Sequence, residues 1–488
     1  MPSTFLKVLS PFVRIMPEVK QPDREVSFRE KITWTLVVLI VFLIMSHLPL
    51  YGVDTAAGTD YLWAMRVILA STRGTLMELG IGPIVTAGLV MQLLSGSKII
   101  NVDFGDPEDR ALFTGGQKVL AMFMTAFQAI AYIIGNAYGS LTPEQGVIVF
   151  LQLFFSGIIV ILMDELIQKG WGLGSGVSLF IMTNVAGQVM FSMFDVLNTS
   201  DDSLPKGIIA AIASNILRFF GVGVTPSTPL VDAGALFFRN GIDPSIFALI
   251  ITFIIFAFVL YLESVRVEIP LQYARYRGMK ARYPIKLLYT SNIPVILAQA
   301  LYANIIFFGQ IIWNWHQGTN VFLNILGEYE TIDGQMRATS GLAKYITPPQ
   351  GIFSIIQEGT DGFFHIIFYA ALMIFLCWGF SKIWVDISGI APRDVSRQLL
   401  DSGYIVPGFR RSEKVLERLL ERYIPVVAGL GGFLVGVLAA AADVMGALAS
   451  GTGILLMVSI IKQYYEQIAK EQLAQMGGEG VTGLLGIL

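Results

Sequence analysis

Few side chains in this sequence are suited to chemistry, and their spacing argues against it. The three histidines, His47, His316 and His365, stand far apart and show no paired-ligand spacing. HExxH, a Walker loop, a nucleophile elbow and CxxC are all absent from the chain. The single cysteine, Cys377, lies inside an apolar run, which excludes a disulfide framework and a thiolate metal site. The GWGLGSG run at Gly170–Gly176 lacks the preceding strand and the acidic residue of a dinucleotide fingerprint, and reads as a flexible helix entry. No catalytic residue, metal or cofactor is expected, and the chain is not read as an enzyme.

Ionisable groups at depth are the next place to look. The chain is 54% hydrophobic and 14% charged, against about 25% charged in soluble domains, so it is a polytopic membrane protein. Its formal net charge of -3 points to neither an acidic nor a basic partner. A transporter coupled to ions or protons needs ionisable groups near the bilayer midplane. Here Asp164, Glu165, Glu263, Asp386 and Asp443 all fall at the ends of apolar runs, and Glu78, which looks unpaired, sits near an outer end. The polar residues at mid-depth are uncharged: Thr86, Gln128 and Asn304. Such groups seek partners on neighbouring helices, worth about 0.6–2 kcal/mol each. They serve either ordinary packing or a seam that can close and part.

Ten apolar runs of spanning length must position these residues: Ile32–Leu50, Met77–Leu94, Val119–Tyr138, Val147–Met163, Val177–Met193, Ile246–Leu262, Leu287–Trp313, Phe363–Ile383, Ile424–Ala442 and Ile454–Tyr465. With the N-terminus inside, 26 of the 33 Lys and Arg fall on the inner side, so both termini are expected in the cytoplasm. No cleavable signal sequence is expected, because Met1–Lys31 is polar and mixed in charge. Two inner loops are polar and long, Ser264–Lys286 with RYRGMKARYPIK and Trp384–Tyr423 with PGFRRSEKVLERLLERY. Each is either a solvated positive-inside loop or a docking surface. The outer segments Phe194–Ser245 and Asn314–Thr360 read as irregular or surface-lying, and the first holds a lone sequon at Asn198. Asp60–Ala70, DYLWAMRVILA, is a short amphipathic piece that either lies on the outer surface or folds back into the protein.

The chain is organised around Ser71–Ile100, an apolar run broken by Gly74, Gly80, Gly82, Pro83 and Gly88. It is either a spanning helix shielded by neighbours or the wall of a cavity. Its opening Pro83-Ile84-Val85 is echoed by Pro294-Val295-Ile296 in the seventh run, and Gly174-Ser175-Gly176-Val177 by Gly451-Thr452-Gly453-Ile454. Five runs per half give the halves opposite topology, the pattern of inverted repeats around a central path. A secondary transporter with inverted repeats is one function that this pattern admits.

The segments GTLMELGIGPIVTAGLVMQLL, GLGSGVSLFIMTN, YPIKLLYTSNIPVIL and SGTGILLMVSIIKQYYE resemble the SecY family, the channel-forming alpha subunits of the Sec protein translocon. The likeness runs from PEVKQPDREVSFREK to the last span. VPGFRR looks archaeal, as does GIGPIVTAGLVMQLL; LWAMRVILASTRGTLMELG leans towards the eukaryotic relative of the endoplasmic reticulum (ER), and the archaeal branch is favoured. The resemblance implies an all-α membrane protein of ten helices, two inverted halves (1–200 and 201–488) forming a clamshell with an hourglass pore. It implies a passive protein-conducting channel in the cell membrane, or in the ER membrane if the source is eukaryotic. Unfolded secretory chains would cross it, and apolar segments would leave sideways into lipid.

On matching positions, the pore ring falls on Ile81, Val85, Val177, Ile181, Ile296 and Leu456. The plug falls on 60–70, including Tyr61, Leu62, Met65, Arg66, Ile68 and Leu69, with Gly74 in its hinge. Thr86, Gln128 and Asn304 match the lateral gate between the second, third, seventh and eighth runs. Arg275, Arg277, Lys280, Arg282, Arg410 and Arg411, in loops 264–286 and 384–423, match a docking surface for ribosomal RNA phosphates and protein, weakened by salt. Pro407 departs from the eukaryotic pattern, which has Arg there. The implied partners are SecE (gamma), the Sec beta subunit, the ribosome, signal peptides, nascent chains and the lipid bilayer.

Overall fold

A helix occupies each of the ten apolar runs in a computed structural model of the chain, which describes residues 11–53, 60, 63, 65–97, 99–100, 102, 107–135, 137–139, 141–198, 204–220, 233–239, 243–273, 280–316, 324–332, 335–349, 351, 359–407 and 412–476. The first run lies in α1 (Phe28–His47), followed by the short α2 (Arg66–Leu69). Runs two to five lie in α3 (Gly82–Gly96), α4 (Pro107–Ile134), α5 (Pro143–Leu166) and α6 (Gly176–Phe194). The surface pieces α7 (Ile208–Phe219) and α8 (Ala233–Phe237) precede α9 (Ile246–Ser264), the sixth run. The seventh run is α10 (Ile293–His316); α11 (Gly341–Ile346) leads to the eighth, α12 (Thr360–Ile387). After α13 (Pro392–Asp401) come α14 (Glu413–Val444) and α15 (Gly451–Met476).

Among the described residues, α4, α5, α6, α9, α10, α12 and α14 are long and apolar enough to cross a membrane. α3 is shorter, with 15 residues, while α1 and α15 carry charged turns at the end near the chain termini. Capping fixes several starts. Ser27 accepts from the Glu30 N–H and the Glu30 carboxylate accepts from the Ser27 N–H, and Thr142 and Gln145 repeat the exchange at α5.

The second run departs from its expected extent: Met77–Ile81 is not helical. Gly80 has φ +55°, and a methyl group there would overlap the Leu69 carbonyl. The next N–H, of Ile81, instead donates to that carbonyl at 2.8 Å. The seventh run likewise starts late. Ser291 has φ 52°, and the Leu287 N–H donates to Val265 O at 2.9 Å. In the second half, α14 presses glycines against α12. A methyl at Gly436 would stand 2.8 Å from Ile374 Cα, so the small residue permits the close crossing.

The echo between halves has a physical counterpart. Asp164, at the end of α5, accepts from the Val177 N–H at 3.0 Å and so caps α6. Asp443, at the end of α14, accepts from the Thr452 N–H at 2.8 Å and caps α15. Both carboxylates are buried, and each meets amide groups that have no partner within their own helix.

The two long loops near the termini form one body. Strands β1 (Arg266–Tyr273) and β2 (Lys280–Lys286) make an antiparallel hairpin, and β5 (Tyr404–Ile405) pairs with β1 to give the order β2-β1-β5. Ile269, Leu271 and Ile285 share a core with Val395, Leu399, Leu416 and Leu420, separate from the main core. On the opposite face, β3 (Glu328–Ile332) and β4 (Gln335–Ser340) form a second hairpin.

Ahead of α1, residues 13–20 brace α4 and the π-helical turn Ile167–Trp171 at the end of α5. Lys118 pairs with Glu165 at 2.7 Å, and Lys169 bridges Glu165 and Glu18. The Lys169 ammonium holds the Glu18 carboxyl below its ordinary range.

Candidate channel waist, plug and seam

The six expected ring residues lie at the starts of four helices. Ile81 is the residue before α3 and Val85 lies one turn in; Val177 and Ile181 open α6, Ile296 opens α10 and Leu456 lies in the second turn of α15. Ile81, Val85, Ile181 and Leu456 belong to the main apolar core, and Ile81, Ile181 and Leu456 are fully enclosed. Val177 and Ile296 are half-buried and pack against that core. A cluster of branched aliphatic side chains offers water no hydrogen bond, the chemistry of a dewetted constriction.

Among the described residues of the expected plug, a little over one helical turn forms, Arg66–Leu69. α2 ends at Ala70, which takes φ 51°. Met65, Ile68 and Leu69 are buried, and α2 packs against α6, α10 and α15, so this segment is folded into the protein rather than laid on its surface. Tyr61 and Leu62 lie outside the described residues.

Glu78, expected to look unpaired, is not. Its carboxylate accepts from Arg66 Nη2 at 2.7 Å and from the Gly74 N–H. Arg66 also grips Asp60, with Nη2 to Oδ1 at 2.6 Å and Nε to Oδ2 at 2.8 Å, and its Nη1 donates to Ser71 at 2.8 Å. The fork satisfies two carboxylates that burial would otherwise penalise. The partners are 6 and 12 residues from Arg66, so only the fold-back brings them together. Gly74, with φ +70°, is held at both ends, its carbonyl accepting from the Leu50 N–H at 2.9 Å.

Two further ties were not foreseen. Asn184, on α6 one turn beyond Ile181, donates to the carbonyls of Arg66 (3.1 Å) and Val67 (2.9 Å), capping α2 from the side. The signal was available: Val177, Ile181 and Asn184 follow helical spacing on one face. The second tie comes from β4. Met336 N–H donates to Asp60 O at 3.2 Å, Trp63 Nε1 donates to Met336 O at 3.0 Å, and Arg337 stands 5.1 Å from the Trp63 ring. No local pattern connects residues 273 apart.

Asn304 Nδ2 donates to Thr86 Oγ1 at 3.0 Å across the contact of α3 with α10. Gln128 instead stands beside the start of α3, where its Oε1 would lie 3.6 Å from a methyl on Gly82. Aromatic rings close the rest of the seam. Phe127 faces Phe308 at 5.9 Å, Tyr132 stacks on Phe307 at 5.6 Å, and Asn314 donates to Gly135 O at 3.3 Å. α12 packs on α3 beside them. Of the basic loop residues, Arg282 is exposed and pairs with Glu268 at 2.6 Å, and Lys280 sits in β2 opposite Gln272. Arg275, Arg277, Arg410 and Arg411 lie outside the described residues.

The SecY family model matches residues 75–465, and the model for the plug domain of Sec61p matches residues 40–74. The protein transport protein Sec61 subunit alpha of Dictyostelium discoideum is 41% identical over 481 residues, covering 98% of both chains. A solved structure described as a protein conducting channel is 37% identical, with TM-score 0.79, over 96% of this chain and 98% of that one. Sec61 in the canine ribosome-channel complex from the ER is 36% identical, with TM-score 0.77 and the same coverage. The solute-transporter alternative is set aside by these likenesses, and the chain belongs to the SecY family, the multi-pass alpha subunits that form protein-conducting channels and catalyse no reaction.

Proposed function

We propose that Ile81, Val85, Val177, Ile181, Ile296 and Leu456 form the constriction through which an unfolded secretory polypeptide passes. What supports this most is their convergence, from four helices and both halves of the chain, on one apolar core directly against α2. The ring closes by excluding water and makes no hydrogen bond that favours one passing sequence over another. Residues 60–70 act as the plug, with Gly74 in its hinge. The seam of Thr86, Gln128 and Asn304 is the lateral gate, which an apolar signal segment opens by binding the parted state better than the closed one.

The halves 1–200 and 201–488 are the two sides of the clamshell. Both termini face the cytoplasm, in keeping with the Lys and Arg balance. The small subunits SecE (gamma) and Sec beta bind the channel. The united loops 264–286 and 384–423 dock the ribosome, through Arg275, Arg277, Lys280, Arg282, Arg410 and Arg411. Likeness to ribosome-channel complexes supports that docking. The membrane is the cell membrane for an archaeal source; the likeness to a Sec61 alpha subunit supports the ER membrane for a eukaryotic one.

Crosslinking of a stalled nascent chain to probes at Val85 and Ile296 tests the pore. Adducts at both positions are expected, and their absence at both refutes a central path.

A further inference from the structure

The two capping carboxylates occupy equivalent places in the halves, yet their surroundings differ. Asp164 meets the start of α6 and, for the rest, Gln168 of its own chain segment, whose Nε2 donates at 2.8 Å. Asp443 reaches further. Its Oδ1 accepts from the Thr452 N–H, while its Oδ2 accepts from Tyr369 Oη of α12 at 2.7 Å and from Thr452 Oγ1. Thr452 Oγ1 in turn accepts from Gln299 Nε2 of α10 at 3.4 Å. Asp443, Thr452, Tyr369 and Gln299 are all at most 4% exposed. One carboxylate therefore joins four helices, α10, α12, α14 and α15. Two of them, α10 and α12, flank the seam, and α15 carries Leu456 one turn beyond Thr452.

We infer that Asp443 is a positioning residue that makes the tenth-run wall of the pore move with the seam helices, whereas α6, capped by Asp164, is not tied to the seam in this way. The inference rests on the proposed pore. In a medium without water, the amide donors at the start of α15 need an acceptor, and Asp443 supplies it. The same carboxylate accepts from the buried Tyr369 hydroxyl and so ties α12 to the cap. Moving α12 away from α14 breaks the Tyr369 bond unless Asp443 and the start of α15 follow. The cheaper motion keeps all the bonds and carries Leu456 outward with the parting seam.

Tyr369→Phe separates the two roles, since it leaves the cap of α15 intact and removes only the link to α12. The assay uses the complete channel complex in membranes, a ribosome-stalled secretory chain, and photo-crosslinking probes at Val85 or at Leu456. In the parent channel, adducts form at both positions. In Tyr369→Phe, adducts at Val85 persist while those at Leu456 fall at least fivefold, because the seam parts without drawing α15 along. Asp443→Asn, which keeps an acceptor oxygen for Thr452 N–H and an amide for the Tyr369 hydroxyl, restores the parent pattern. Equal yields at Leu456 in Tyr369→Phe and the parent overturn the coupling. Absence of adducts at both positions in the parent overturns the pore itself, and the coupling with it.

Discussion

Replacing Arg66 by Ala removes the centre of the ion network that fastens the plug. The side chains of Arg66, Asp60 and Glu78 are 11%, 9% and 1% exposed, so solvent screens the network little. Truncating one partner of a buried ion pair costs about 3–5 kcal/mol, because the remaining charge is left without compensation. Here two carboxylates lose their partner at once, and both regain water only if the plug leaves its seat. Taking about 3 kcal/mol, at about 1.4 kcal/mol per factor of ten, the closed-to-open ratio falls by about two powers of ten. The assay is the ion conductance of the idle channel complex in a planar bilayer. Arg66→Ala conducts in long openings where the parent stays shut. Adding Asp60→Asn and Glu78→Gln, which removes the unpaired charges, recovers most of the seal. A folded, translocation-competent Arg66→Ala channel with parental idle conductance would show that the network does not hold the plug.

Four further outcomes are expected. Gly80→Ala, which forces a methyl against the Leu69 carbonyl at a positive φ, costs about 1–3 kcal/mol and raises protease access to residues 60–75; Gly187→Ala, in open space, does not. Thr86→Val removes one bond across the seam, worth about 0.6–2 kcal/mol, and shifts the gate about 3- to 30-fold toward opening, read as better translocation of precursors with weakened signal segments. Trp63→Phe loses the bond to Met336 O, worth about 0.5–1.5 kcal/mol, and raises idle conductance by about tenfold or less. The Glu18 carboxyl titrates below its ordinary range, so its pair with Lys169 contributes above about pH 5 and is lost as pH falls through the depressed value. Glu18 is largely exposed, which keeps the effect below about 1 kcal/mol; hydrogen exchange over residues 13–20 quickens in acid, and Lys169→Met abolishes that pH dependence.

The spans were legible because they rest on local signals, whereas the ring positions came from resemblance. Apolar runs of spanning length mark the helices, and the Pro and Gly echoes mark the depth at which four of them begin. Resemblance grouped Thr86, Gln128 and Asn304, of which Thr86 and Asn304 share a hydrogen bond. The plug's fastening was not legible, since Glu78 looks like an isolated carboxylate until the chain turns at Gly74 and Gly80 and brings Arg66 to it. Nor could the grip of β4 on Trp63 be read, because its key partner is a backbone carbonyl that any residue at position 336 would supply. The polar loops look solvated by composition, yet Ile269, Leu271 and Leu399 lie under a shared sheet, too few in each loop to form a core alone.

That shared sheet has a mechanical corollary. Because β1 pairs with both β2 and β5, and the side chains beneath them lock onto the ends of α12 and α14, the two hairpin strands and β5 are not independent of one another. Whatever grips this sheet takes hold of a lever whose fulcrum is the pair of long helices beneath it. Torque applied to the sheet therefore arrives at α12, beside the seam, through the shared core of Ile269, Leu271, Val385 and Leu420.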